Sequence, residues 1–447
     1  MRILHVIHTF PPYSEAGSEN YTRGLSQALR GLGHEVAVCH RIADPTQDEY
    51  ALTEAEIDNL PIYRINNTFR LCDRFETTYR NADIDACFGT VLDRFCPDVV
   101  HFHHLTCLST ACVFEVKHRG VPVVMTLHDY WLICQRGQFL RRDESLSLCQ
   151  KQEDPECVRC WASQLNIPER AVTASRPFGG ILRRVQRRFS WTVARPEVRA
   201  LAEVHARMAH VHDVCAAVDL FISPSRFLRE RFIAFGVPAH KILFSANGYP
   251  TLSFPHYECL SMAEQQPVRF AFIGTIIPPK GVHLLIEAFR VIPETFARLT
   301  IYGGEVPYDG FPDYGKKLRD SAAGCRHITF AGAYRQTEIS RILRGVDVLI
   351  VPSIWYENAP LTIQEAFLAK IPVITSDLGG MREIIRDGEN GLLFRPRDPL
   401  DLRRKIQLLI QQPKLIAQLG NAHPQVKTIE ADARDMIERY TQLCQRT

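Results

Sequence analysis

Short runs of β-branched and apolar residues alternate with amphipathic stretches along almost the whole chain. In the first half the runs are Arg2–Thr9, Glu35–His40, Val99–Leu105, Val121–His128 and Leu220–Ser225. In the second half they are Arg269–Thr275, Leu299–Gly303, Ile328–Ala333, Val348–Ser353, Pro372–Ser376 and Gly391–Phe394. Between runs the apolar residues return with helical spacing, as Val282, Leu285, Ile286 and Phe289 do at i, i+3, i+4 and i+7. Alternating strands and helices predict an α/β protein with parallel sheets covered on both faces. The alternation stops between Pro250 and Pro267, a stretch with proline at both ends and no sustained period. It reads as a linker, 251–266, between two doubly wound, Rossmann-like domains, 1–250 and 267–423, that face each other across a cleft. A last helix, from about Pro424 to Cys444, is expected to return onto the first domain.

Bulk properties narrow the class without choosing a partner. The 447 residues suit two or three domains, and 46% hydrophobic with 23% charged residues is the composition of a soluble globular chain. No apolar run approaches the roughly 20 residues that span a bilayer. Met1-Arg-Ile-Leu-His reads directly as a strand with no signal peptide ahead of it, so a cytoplasmic protein is expected. A net charge of +3 favours no class of partner. Most of the fourteen cysteines, such as Cys39, Cys87 and Cys215, sit in apolar or helical contexts and read as reduced thiols.

Two loops point to an anionic ligand. In Phe272-Ile-Gly274-Thr275-Ile-Ile-Pro-Pro-Lys280-Gly281 a strand leads to a helix with a lysine at its entrance, where cation and helix dipole can face a phosphate. Read alone, the same loop is equally an exposed lysine beside a turn glycine. In Trp355-Tyr-Glu357-Asn358-Ala359-Pro360-Leu361-Thr362-Ile-Gln-Glu365, Glu357 lies in the loop after an apolar strand and Glu365 inside the next helix. Pro360 suits the first helical position, which leaves the amides of Leu361 and Thr362 pointing out of the N-terminus. Glu365 lies among Leu361, Ala366 and Phe367, and a buried helix glutamate wants a partner. A ribose diol is one, since a carboxylate accepts two hydroxyl hydrogen bonds. The bland alternative is a helix-start glutamate and a surface glutamate. Gly379 and Gly380, after another strand, would let backbone approach a ligand.

Together these pieces resemble the retaining glycosyltransferases of family 4, which have the two-domain GT-B fold. The resemblance covers nearly the whole chain. The second half carries it best, with Gly274, Lys280-Gly281, Glu357, Glu365-Ala, Pro372-Val-Ile, Gly379-Gly380, Glu383 and Asn390-Gly391-Leu-Leu. The first half adds Pro11-Pro-Tyr-Ser-Glu-Ala-Gly17-Ser-Glu19, Gly33-His-Glu-Val, Thr126-Leu-His128-Asp129-Tyr-Trp, Ser223-Pro-Ser225 and Asn247-Gly248. The resemblance implies transfer of a sugar from a nucleotide-sugar donor to a glycan or lipid-linked acceptor. The nucleotide would sit in the second domain and the acceptor against the first. Lys280 would neutralise the diphosphate, Glu365 would bind the ribose, and Glu357 with the amides of Asn358, Ala359, Leu361 and Thr362 would hold the donor. His128 would approach the sugar from the opposite wall, and Gly17 would bring a first-domain loop close. No catalytic metal and no general base are needed, because cation, dipole and amides stabilise the leaving group. Two residues depart from the family pattern. Thr275 stands where many members carry an arginine, and Ala16-Gly17 replaces a frequent Gly-Gly. His101, His103 and His104 are assigned structural roles.

Two further features lie outside that pattern. Cys134, Cys149, Cys157 and Cys160 follow the His128 loop in a charged, strandless insert, and the last two form Cys-x2-Cys. Such an insert buries little apolar surface, and a structural zinc ion on four thiolates would order it. An iron–sulfur centre, unligated thiols or a redox disulfide are the alternatives. Residues 178–191 resemble a basic amphipathic helix, with Ile181, Leu182, Val185 and Phe189 on one face and Arg183, Arg184, Arg187 and Arg188 beside it. That helix is either peripheral at the inner face of a membrane or packed as an ordinary surface helix. No aromatic platform accompanies the arginines, so nucleic acid is not expected. Other readings are a GT-B epimerase, or a non-catalytic nucleotide-sugar sensor or scaffold.

Overall fold

The computed structural model describes residues 1–150, 156–160, 196–251, 254 and 267–446. The basic segment 178–191 lies outside the described residues. Two sheets organise the chain. The first has eight strands in the order β3-β4-β2-β1-β5-β6-β7-β8. These are β1 (Arg2–Ile7), β2 (Glu35–Ile42), β3 (Leu52–Ile57), β4 (Leu60–Asn66), β5 (Val99–Phe102), β6 (Val123–Thr126), β7 (Leu220–Ser223) and β8 (Ile242–Phe244). The second has six strands in the order β11-β10-β9-β12-β13-β14. They are β9 (Val268–Ile273), β10 (Ala297–Tyr302), β11 (Ile328–Gly332), β12 (Val348–Val351), β13 (Val373–Ser376) and β14 (Gly391–Phe394).

Among the described residues all ladders between named strands but one are parallel, as uninterrupted apolar runs require of strands covered on both faces. The exception is the hairpin β3–β4, which the strand–helix alternation did not predict. Its turn is Asp58-Asn59, both with positive φ (52° and 61°), the left-handed pair that a two-residue hairpin needs. Its outer strand alternates half-buried with exposed residues, the pattern of an edge rather than of a buried strand. The three-residue edge strand β8 is a second addition.

The helix Ile429–Cys444 packs against the helix Gly17–Gly31 of the first lobe. Asp432, fully buried on it, accepts from Tyr21 Oη at 2.8 Å, Gly248 N at 2.9 Å and Lys427 Nζ at 2.6 Å. Gly248 can be nothing larger: an added Cβ would lie 2.6 Å from Asp432 Cβ and 2.7 Å from Thr428 O. Among the described residues, no helix is long and apolar enough to cross a membrane.

Candidate active site

In each sheet the strand order reverses beside one central strand, β1 in the first and β9 in the second. Loops leaving such strands diverge and open a crevice at their carboxyl ends. In the second lobe the loops after β9 and its neighbour β12 carry Lys280 and Glu357. Gly274 leaves β9 at φ 153°, and Thr275 beside it is exposed. A short turn, Pro278–Lys280, then ends at Gly281, whose φ of 72° and contact with Pro352 exclude a side chain. An added Cβ there would stand 1.9 Å from Pro352 O, and this approach presses the Lys280 loop onto the segment after β12.

The result is an ion pair, Lys280 Nζ to Glu357 Oε1 at 2.6 Å. The same oxygen accepts from Ser353 Oγ at 2.8 Å and Trp355 Nε1 at 2.9 Å. Glu357 is 5% exposed, so three donors on one oxygen offset the loss of water around the carboxylate. The helix that follows is Leu361–Leu368. Pro360 is its cap rather than its first residue, because ψ is extended at 120°. The amides of Leu361 and Thr362 still belong to the first turn, where helical N–H groups have no partner within the helix. Gly17 packs against the side chain of Leu361: a Cβ built there would meet Leu361 Cδ1 at 3.6 Å. Two helix N-termini, Gly17–Gly31 and Leu361–Leu368, therefore meet across the cleft.

One turn further along, Glu365 is 3% exposed. Tyr249 Oη and Gln336 Nε2 both donate to its Oε1 at 2.7 Å. Burial raises the pKa of this carboxyl, and the two neutral donors only partly oppose it.

The first-lobe wall is built from histidines. His128, just beyond β6, holds its Nε2 3.3 Å from Nδ1 of His103, and the two rings stack. Burial drives the pKa of His128 down to about 3, so it is a neutral imidazole at physiological pH. His104 is different. Burial opposes its protonation, but the Asp129 carboxylate at 3.1 Å outweighs burial and raises its pKa. One cavity is lined by His104, Leu127, His128, Asp129, Trp131 and Phe232. Beside this wall Glu19, 2% exposed, lies 3.6 Å from His8 Nε2 and accepts from Ser14 Oγ at 2.8 Å and Ser18 Oγ at 2.6 Å.

Several motif residues tie the lobes together. Asn358 Nδ2 donates to Leu127 O at 3.1 Å and to His128 O at 3.4 Å, and its Oδ1 accepts from Ser225 Oγ. Its side chain thus fixes the backbone of His128. Glu383 caps the first-lobe helix Arg226–Phe235 by accepting from Arg226 N at 2.7 Å and from Phe227 N. The room left by Gly379 and Gly380 is filled by the Glu357–Asn358 backbone: Gly380 N donates to Glu357 O at 2.8 Å. A Cβ on Gly380 would lie 1.7 Å from Asn358 O. These glycines admit the site's own loop, where sequence reasoning expected a ligand. Tyr249 and Gln336 gave no separate signal in the sequence, because each acts through a partner on a distant element; Asp129 stood in the His128 motif and His104 was assigned a structural role, but their pairing was not read.

The comparisons with known proteins agree with this architecture. The family description "Glycosyltransferase Family 4" matches residues 16–251, more than half of the chain, and "Glycosyl transferases group 1" matches residues 262–426. The chain belongs to glycosyltransferase family 4. It is 24% identical over 451 residues to the glycogen synthase of Mycobacterium tuberculosis, covering 97% of this chain and 91% of the relative. It is 28% identical over 187 residues to the amylovoran biosynthesis glycosyltransferase AmsK of Erwinia amylovora, 39% of this chain and 43% of the relative. Among solved structures, sucrose-phosphate synthase from Thermosynechococcus elongatus superposes with a TM-score of 0.70 at 18% identity, covering 100% and 99% of the two chains. The Anabaena protein HepE, solved with UDP and glucose, superposes with a TM-score of 0.62 at 15% identity, again covering 100% and 99%. The fold of this family 4 member is GT-B, and it is a glycosyltransferase.

Proposed function

We propose that the enzyme is a retaining, metal-independent transferase that moves a sugar from a nucleotide-sugar to a glycan or lipid-linked acceptor. The observation that carries this reading is the Lys280–Glu357 pair set beside two converging helix N-termini. A diphosphate placed there meets one cation and two dipoles, and needs no metal to offset its charge. Lys280 turns from Glu357 to the phosphates. Glu357, still held by Ser353 and Trp355, accepts from sugar hydroxyls. Glu365 accepts from the ribose diol, and the amides of the Asn358–Thr362 segment cover the anion. His128, neutral, approaches the sugar from the first lobe. As the leaving-group bond breaks, the phosphate oxygen takes the acceptor's proton on the same face, so no protein base is required. Gly17 and Gly274 let backbone reach the donor, and Thr275 leaves Lys280 as the cation of its loop.

HepE, solved with UDP-glucose, shares the fold, which makes UDP-glucose the first donor to try. A panel of UDP-, ADP- and GDP-sugars, screened by thermal shift and then by product formation, tests the reading. Donor-dependent release of nucleotide supports it. Saturable binding without turnover, in the presence of acceptors, replaces it with a nucleotide-sugar sensor.

A further inference from the structure

The insert after His128 carries four cysteines that the chemistry of the cleft does not use. Cys134 ends a turn, its N–H donating to Tyr130 O at 2.7 Å. Cys149 closes a small loop whose isolated bridge pairs Leu140 with Leu148. Cys157 and Cys160 lie on the helical turn 156–160, three residues apart and so on one face. All four thiols line one cavity, and Arg207 joins them. That arginine is 2% exposed. Its guanidinium donates to Trp131 O at 2.6 Å and Leu132 O at 3.1 Å, and among the described residues no carboxylate pairs with it. Arg136, its side chain 9% exposed, stands within electrostatic reach of Cys160. Its guanidinium also lies over the Tyr79 and Trp131 rings, at 5.8 and 5.2 Å, and a buried cation held by carbonyls and ring faces still lacks an anionic partner. Four thiolates around a divalent ion carry a net charge of about −2, which supplies the missing anion.

We propose that Cys134, Cys149, Cys157 and Cys160 bind one structural zinc ion whose dianionic centre is balanced by Arg207. Four zinc–sulfur bonds form, the four thiol protons leave to solvent, and no electron is transferred. The sulfurs ring the cavity more widely than ligand spacing, and zinc–sulfur bonds of about 2.3 Å draw the arms inward. The other cluster of metal-ligating type, His5, His101 and His103, has ligand atoms within 4.8 Å of one another. There the rings of His101 and His103 stack at 4.2 Å and cannot both aim an in-plane lone pair at one ion.

The zinc stands at the root of a clasp between the lobes. Arg136 and Arg142 both pair with Asp309 of the second lobe, at 3.3 and 3.1 Å. Tyr308 Oη donates to Gln138 Oε1 at 2.7 Å, and Arg397 Nη1 donates to Ser145 O at 2.6 Å. The intact protein, purified with reductant and without chelator, is to be assayed for metals by plasma mass spectrometry. About one zinc per chain is expected. The Cys157→Ser, Cys160→Ser double variant should lose it, and exposed Cys96→Ser should keep it. Exchange with cobalt should give intense thiolate-to-metal charge-transfer absorption, and stripping the metal should speed proteolysis within the insert, about 134–160, several-fold. If the variant does not fold, the wild-type zinc content and cobalt spectrum decide. A reduced protein without zinc and without the cobalt–thiolate band overturns the proposal, as do iron with sulfide in place of zinc or a disulfide between Cys157 and Cys160.

Discussion

The two walls of the cleft handle charge in opposite ways. The second-lobe wall keeps two buried carboxylates and a lysine on two adjoining loops and one helical turn, each carboxylate satisfied by directed donors. The first-lobe wall is mostly uncharged: His5 and His128 are pushed down to about 3 by burial, and its charged groups among the described residues are the His104–Asp129 pair and the buried Glu19. Preformed charge suits a wall that must meet a charged ligand, because its dipoles are already oriented. A neutral, stacked wall contributes shape and position. Even within the charged wall the two glutamates differ. Glu357 has a cationic partner that a diphosphate can recruit, whereas Glu365 has only neutral donors and keeps a raised pKa.

That contrast orders the expected effects. Glu357→Ala removes the group that ties Lys280, Ser353 and Trp355 together. Its kcat/KM should fall by roughly 10²–10³, mostly in kcat, as for the loss of a preorganised charge contact. Steady-state kinetics with the preferred donor will show this, and a change confined to KM would place Glu357 in ground-state binding alone. Glu365→Ala should raise the donor KM about tenfold or more while kcat moves less, since the proposed ribose contact is remote from the reacting carbon. Equal losses in kcat from both variants would erase the distinction between them.

The neutral wall predicts a pH response in stability. For a histidine whose folded pKa is lowered, the neutral form is the one the fold accepts. Its contribution is complete above the unfolded value of 6.5 and declines as pH falls below it. His5 alone should cost about 1 kcal/mol at pH 5.5. His104 has the opposite sign: with a raised pKa, its contribution is complete below 6.5 and is lost as pH rises through the folded value. The lowered histidines outnumber it, so the melting temperature should drop between pH 7.5 and 5.5. A melting temperature that rises over that interval would show that the His104–Asp129 pair dominates the wall. The smallest effect is expected from Thr275→Arg. A second cation at this exposed position should lower the donor KM by a few-fold, about 1 kcal/mol, with stability unchanged.

The parts legible in the sequence were those set by local pattern. Uninterrupted apolar runs announced the parallel strands, and the glycines at 274 and 281 marked the loop that carries Lys280. The hairpin β3–β4 was missed although Asp58-Asn59 is a usable turn signal, because Leu52–Ile57 alternates weakly and reads as polar. What sequence could not show is contact between distant elements. Asn358 holds the His128 backbone and Glu383 caps a helix of the other lobe, and both roles exist only once the lobes dock. The glycines at 379 and 380 were correctly read as allowing close approach, but the neighbour is the Glu357 loop itself. The histidine stack was equally hidden, since His5, His101, His103 and His128 come together only through strand order.

The central claim is that the charged wall supports departure of a nucleotide and delivery of the sugar to the same face. The anomeric configuration of the first product formed from an accepted nucleotide-sugar, read by proton NMR before mutarotation, tests it most directly. Retention of the donor's configuration is the predicted result, with the same product formed roughly 10²–10³-fold less efficiently by Glu357→Ala. An inverted product would contradict the account, because inversion requires attack on the face opposite the leaving group.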